Sequence, residues 1–140
     1  MAVDYGRKRV GIAVTDPMQM IANGLDTISS HNVLDFLRKY FNKEQVDTVV
    51  IGYPVTLKNE PSEAIRYVND FLRKFEQTFP EKRYFLMDER FTSKLASQAM
   101  IDGGLKKKQR QNKAIVDKIS ATIILQSYMQ MKDNFPNFSK

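Results

Sequence analysis

The sequence predicts an α/β domain spanning residues 1–140, built on a mixed five-stranded sheet with helices on both faces. Two observations predict it. Residues 1–30 hold three short strand-like segments joined by tight connections, and beyond them helical and strand periodicities alternate, as in parallel crossover units. A third bounds it: no internal repeat, linker or low-complexity tract argues for a second domain. A chain of 140 residues also suffices to bury roughly 68–70% of the surface that its unfolded form exposes.

The opening strands read as Ala2–Asp4, Val10–Thr15 and a weaker segment around Ile21–Ile28. The Arg7–Arg9 connection is tight enough to make the first two an antiparallel hairpin. Only three residues precede Asp4, which is short for a strand at the centre of a sheet. From Val33, the apolar residues Val33, Phe36, Leu37, Tyr40 and Phe41 fall on one stripe of a helix, with Ser29, Ser30 or Asn32 available to cap it. His31 lies at that cap and carries no accompanying nucleophile motif, so it reads as a surface or capping histidine.

Thr48-Val49-Val50-Ile51 is a continuous apolar, β-branched run ended by Gly52 and Pro54, the profile of a central strand buried on both faces. Asn59-Glu60-Pro61-Ser62-Glu63 then reads as a helix start, and Ile65, Val68, Leu72, Phe75 and Phe79 supply its inner stripe before Pro80 stops it. Tyr84–Met87 forms another buried strand running into Asp88-Glu89-Arg90. Thr92 or Ser93 caps a helix through about Ile101, which Gly103-Gly104 ends. The polar, strongly cationic Leu105–Lys113 segment reads as a mobile loop. A last helix runs from about Lys113 to Met131, with a frayed tail from Asn134 to Phe138.

Composition narrows the chemistry. With no cysteine and one histidine, the chain has no disulfide framework, thiol nucleophile or thiolate zinc site, and no histidine-rich metal site. Any metal must be held by oxygen, which favours Mg²⁺ or Mn²⁺. The excess of 22 Lys and Arg over 16 Asp and Glu, a net charge of +6, suits an anionic partner. No apolar run approaches a membrane span and the N-terminus has no basic segment leading into an apolar one, so a soluble cytoplasmic protein with no membrane partner is expected.

Four acids stand out: Asp4, Asp88, Glu89 and Asp117. Asp88 and Glu89 follow a strand at the carboxyl end of the sheet, where ligands of open α/β sheets collect. The two-residue period of a strand points them to opposite faces, so only one can join Asp4 directly. Asp117 shares a helical stripe with Ser120, Ala121, Ile124 and Tyr128, which turns its carboxylate toward the sheet. An inward acid needs a cation or hydrogen-bond donors. A metal shared with Asp4 would serve, as would an ion pair with Lys113 or Lys118. Carboxylates from two strands and a helix meeting at one point suit two-metal phosphodiester cleavage, in which no histidine or serine nucleophile is required.

Around them lie Arg7, Lys8, Arg9, Arg90, Lys106, Lys107, Lys108, Arg110 and Lys113, a set suited to gripping nucleic-acid phosphates without reading sequence. The bland alternative is a solvated hairpin tip and a solvated basic loop. Tyr5 and Tyr53, each beside a glycine at a strand end, are either base-stacking platforms or packed side chains.

With those residues in view, nearly the whole chain resembles the YqgF/RuvX family of pre-16S rRNA nucleases, also described as Holliday-junction-resolvase-like. The segments Asp4–Asp16, Val50–Pro54, Asp88–Ser93 with Ala96, and Val116–Ala121 with Ile124-Leu125-Gln126 resemble the family's motifs in their order. The resemblance implies an RNase H-like fold, with Asp4, Glu89 and Asp117 as metal-binding, catalytic acids, and it places Glu89 ahead of Asp88. It also implies maturation of the 5′ end of pre-16S rRNA in ribosome biogenesis, with junction cleavage as the older proposal; the cofactor expected from the oxygen-only ligands and the acid constellation is Mg²⁺ or Mn²⁺, as two ions. Two departures stand out: Val55–Pro61 lacks the glycine-containing turn usual after Pro54, and the first strand is clipped before Ala2.

Four readings follow. The first is a metal-dependent endonuclease on structured RNA. The second is a resolvase of branched DNA, which would favour a homodimer over a monomer because a four-way junction presents two symmetric strands. A non-catalytic RNA-binding assembly factor is the third. A nucleotide-binding ATPase ranks last, since one domain offers no second lobe to close on a nucleotide.

Overall fold

Strand alternation sorts the apolar residues of the sheet into two cores, and that sorting places everything else. In the computed structural model, which describes residues 1–54 and 63–134, β1 (Ala2–Tyr5), β2 (Arg9–Thr15), β3 (Ala22–Ser29), β4 (Thr48–Tyr53) and β5 (Arg83–Asp88) form one sheet of order β3-β2-β1-β4-β5. β1 pairs antiparallel with β2, and β2 with β3. β1 and β4, and β4 and β5, are parallel. The predicted mixed sheet is therefore present, with the four-residue β1 rather than β4 in the middle.

On one face Val3, Val10, Ile12, Val49 and Ile51 pack under α1 (Val33–Lys43) and α2 (Glu63–Thr78), which contribute Leu37, Val68, Phe71 and Phe75. On the other, Ala2, Ala13, Val50 and Met87 meet Ala121, Ile124, Leu125 and Tyr128 of α5 (Lys113–Asn134). Small residues on the sheet side let this long helix lie close. Thr27 ties its first turn to β3 by donating to the Ala114 carbonyl at 2.6 Å. A 3-10 turn at Glu89–Phe91 leads from β5 into α3 (Ser93–Asp102), which packs on α5.

Three expectations change. β5 is an edge strand: Met87 is buried, but Tyr84 and Leu86 are more than a third exposed, because the strand has a sheet neighbour on only one side. The basic segment is not a structureless loop, since Lys107–Arg110 forms one helical turn, α4. Its residues are good helix formers, and the Lys106 N–H donates to the Gln109 side chain at 2.9 Å to fasten the start. Asn32 is the residue preceding α1, but its side chain makes no capping bond. Ser30 instead donates its hydroxyl to the Arg7 carbonyl at 2.7 Å, pinning the β1–β2 turn to the end of β3. The expected helix start at residues 59–62, the turn at 55–61 and the tail beyond Asn134 lie outside the described residues. Among the described residues, no helix is long and apolar enough to cross a membrane.

Candidate active site

The acids meet at the carboxyl edge of the parallel strands. Ala2 belongs to the α5-side core and Val3 to the opposite one, so Asp4 projects toward α5. On β5 Met87 takes the α5 side, and two residues later so does Glu89. Asp4 and Glu89 are hydrogen-bonded to each other, with Asp117 close enough to Asp4 to act on it electrostatically. The structure thus brings Asp4, Glu89 and Asp117 to one region.

Two glycines make this possible. Gly11 is the register partner of Asp4 across β1–β2. A Cβ added there would lie 2.1 Å from the Asp117 carbonyl oxygen and 3.2 Å from the Asp117 Cβ, so α5 rests directly on the strand backbone. A Cβ at Gly52 would lie 2.7 Å from Glu89 Oε1 and 2.9 Å from Ile124 Cδ1. Each glycine vacates the volume that an acid uses. A glycine inside a strand signals such a close approach; the sequence carries that signal at Gly11, within Val10–Thr15, whereas Gly52 reads there as a strand end.

The electrostatics follow from crowding. Burial, then the charge and hydrogen bond of Glu89, then the charge of Asp117 push the Asp4 carboxyl well above the ordinary range. Glu89 is also pushed up, chiefly by burial. Asp88 adds its charge to the rise of Glu89 but faces the other side of the strand: its carboxylate accepts the Arg90 N–H at 2.9 Å and grips the Arg90 guanidinium at 2.6–3.1 Å, which lowers its pKa. Its pairing with Arg90 and its place on the other strand face explain why Glu89 stands beside Asp4.

Asp117 takes its positive charge from Arg9, Nε to Oδ2 at 2.9 Å, not from a helix neighbour such as Lys113 or Lys118. Arg9 shares the α5-side parity of Gly11, which sends it away from Arg7 and Lys8. Of the other cations, Arg7 and Lys8 are exposed on the β1–β2 turn, Arg90 is paired with Asp88, and Lys106, Lys107, Lys108 and Arg110 cluster at α4 just before Lys113 begins α5. Tyr5 is stacked on Phe71 with ring centroids 4.6 Å apart, and the Tyr53 hydroxyl donates to Asn69 at 3.1 Å, so both have protein partners. Among the described residues, no three Asp, Glu, His or Cys side chains are already spaced as a metal site. The donor set still fits a hard cation. It contains only oxygen, and two of its acids are so close that a proton or a cation must lie between them.

A mixed β3-β2-β1-β4-β5 sheet with helices on both faces and acids at the ends of β1 and β5 and on the last helix defines an RNase H-like α/β protein. The chain belongs to the RuvX family: residues 1–131 match the family model described as "Holliday junction resolvase". It is 56% identical to a protein of Flavobacterium psychrophilum, over 94% of this chain and 96% of the relative. It is 54% identical to one of Phocaeicola vulgatus, over 94% and 95%, and 53% identical to one of Flavobacterium johnsoniae, over 94% and 96%. All three relatives are named "Putative pre-16S rRNA nuclease".

Proposed function

We propose that the protein is a divalent-metal-dependent endonuclease acting on structured RNA, which trims the 5′ end of pre-16S rRNA. The carrying observation is the Asp4–Glu89 carboxyl pair within electrostatic reach of Asp117 at the carboxyl edge of the sheet. The names of the relatives support the RNA substrate. Asp4, Glu89 and Asp117 would hold Mg²⁺ or Mn²⁺, which when bound activates water and neutralises charge on the scissile phosphate, with two ions serving the attacking and leaving oxygens. A cation between Asp4 and Glu89 would relieve the crowding that pushes both carboxyls up. Arg9 keeps Asp117 aimed at the pair, and its remaining N–H groups are donors for a phosphate oxygen. The exposed cations of the β1–β2 turn and of α4 grip the backbone on either side.

The test is cleavage of precursor rRNA, a synthetic four-way DNA junction and blunt duplexes, each with Mg²⁺, Mn²⁺ or EDTA. Metal-dependent cutting of the precursor alone is the expected result. The family description favours one second reading, junction resolution, and cutting of the junction in preference would establish it. Binding of the precursor without cutting would make the protein an assembly factor instead.

Two variants probe the arrangement. In Gly52→Ala the new methyl meets the Glu89 side chain and the Cδ1 of buried Ile124 and no backbone atom, so the stability cost lies at the low end of the overpacking range, about 1 kcal/mol, in urea denaturation. Glu89 is displaced, however, and the cleavage rate falls by about 10- to 100-fold, as misplacement near 1 Å does. Replacing Lys106, Lys107 and Lys108 together by Ala weakens RNA binding and makes the slope of log K against log salt shallower by about 2–3, one unit for each phosphate no longer neutralised. An unchanged slope would make α4 a bystander.

A further inference from the structure

The β1–β2 turn has a second side. Alternation sends Asp4 toward α5 and Tyr5 toward α1 and α2, so the turn at residues 6–8 forms a saddle between the acid cluster and a groove of about 760 Å³ on the opposite face. Tyr5, Arg7, Lys8, His31, Tyr67 and Lys74 line that groove. The Arg7 guanidinium stands 5.6 Å from the centre of the Tyr67 ring, an arrangement that holds a cation beside an aromatic face. Tyr67 and Lys74 lie two turns apart on one stripe of α2, about 10 Å along its axis. Among the described residues the one acid lining the groove, Asp70, is already in an ion pair with Arg73. Arg7, Lys8 and Lys74 are exposed, and the Ser30 bond to Arg7 fixes the turn that carries two of them. Cations spaced along a groove with a half-buried tyrosine between them are the parts of a single-strand binding surface.

We infer that this groove receives the single-stranded segment of the RNA as it leaves the acid cluster, with Arg7, Lys8 and Lys74 on its phosphates and Tyr67 beneath a base. The inference rests on the proposed nuclease reading and extends the substrate across the saddle. It also defines the substrate class: a duplex next to an unpaired tail, not a duplex alone. Access to Tyr67 requires that the Arg7 guanidinium move from the ring onto a phosphate. His31 adds a hydrogen-bonding ring at the rim.

The test compares two fluorescent RNA stems, one blunt and one carrying an oligouridine tail, by anisotropy in EDTA so that no cleavage intervenes. The full chain should bind the tailed stem about 5- to 10-fold more tightly than the blunt one, the scale of one stacked base with its phosphate contacts. In Tyr67→Ala and in Lys74→Glu that advantage should fall to less than twofold, with circular dichroism confirming that each variant is folded. A tail advantage retained in both variants, or equal binding of the two stems by the unaltered chain, would overturn the groove while leaving the nuclease reading intact. Failure of the unaltered chain to bind either stem would remove the nuclease reading, and the groove with it. A DNA tail of equal length separates the sources of the phosphate chain, and a preference for it would overturn the RNA assignment.

Discussion

Asp4→Asn lowers cleavage of the precursor by at least about 100-fold, the upper end of what supporting groups around a metal cost when removed, and leaves RNA binding within about twofold, since binding rests on the separate cations. The substitution keeps size but removes the ability of residue 4 to ionise in a site where three acids converge. Its effect on stability has the opposite sign to its effect on activity. Asp4 and Glu89 both have pKa values raised in the folded protein, so the fold holds their protons more tightly than the unfolded chain does. Their contribution is fully present below the ordinary carboxylate range near pH 4 and is lost as pH rises through the folded values. Asp16 and Asp88, whose pKa values are lowered, contribute in the reverse direction and cancel when the variant is subtracted from the unaltered chain. In EDTA, Asp4→Asn is therefore expected to gain in melting temperature relative to the unaltered chain as pH rises from 4 to 8. A difference that does not change with pH, or cleavage that survives, would reject the role given to Asp4.

The second large effect is structural. In Gly11→Ala the new methyl would sit 2.1 Å from the Asp117 carbonyl oxygen and 2.5 Å from its carbon, both backbone atoms of a helix clamped along β2 and β3. Neither is the free end of a side chain, so α5 must shift as a body. The cost is about 3 kcal/mol, the upper part of the overpacking range, which for a chain of this size lowers the melting temperature by roughly 10 °C. Because the displaced residue is Asp117, cleavage falls with stability, unlike in Gly52→Ala, where activity is lost with little stability. Equal melting of Gly11→Ala and the unaltered chain would show that α5 does not rest on β2 at this point.

The contrast between the two glycines shows what could be read from the sequence. The hairpin, the apolar stripes of α1 and α2 and the crossover order follow from periodicity, because burial of one face imposes it, and all appear in the fold. A sequence does not carry the phase between separate strands. Asp88 and Glu89 must point to opposite faces, yet only the packing of Met87 against α5 tells which of them meets Asp4. The family resemblance places Glu89 first, and in the structure Glu89 is the one hydrogen-bonded to Asp4. The Arg9–Asp117 pair joins residues 108 positions apart, so no local rule suggests it over Lys113 or Lys118. The apolar run of β5 reads the same at an edge as in an interior. Gly11 falls within a predicted strand and Gly52 at the predicted end of one, but what presses on each is set by how α5 and the 3-10 turn dock.

The account depends on Asp4, Glu89 and Asp117 together forming one cation-binding site. Titrating Mn²⁺ into the ¹⁵N-labelled protein tests this directly, because the paramagnetic ion broadens amide signals near its site. Selective loss of the signals of Asp4, Gly11, Gly52, Glu89 and Asp117, abolished by Asp4→Asn, is the predicted result. Broadening centred on other acids such as Asp16 or Asp47, or unchanged by Asp4→Asn, would contradict it.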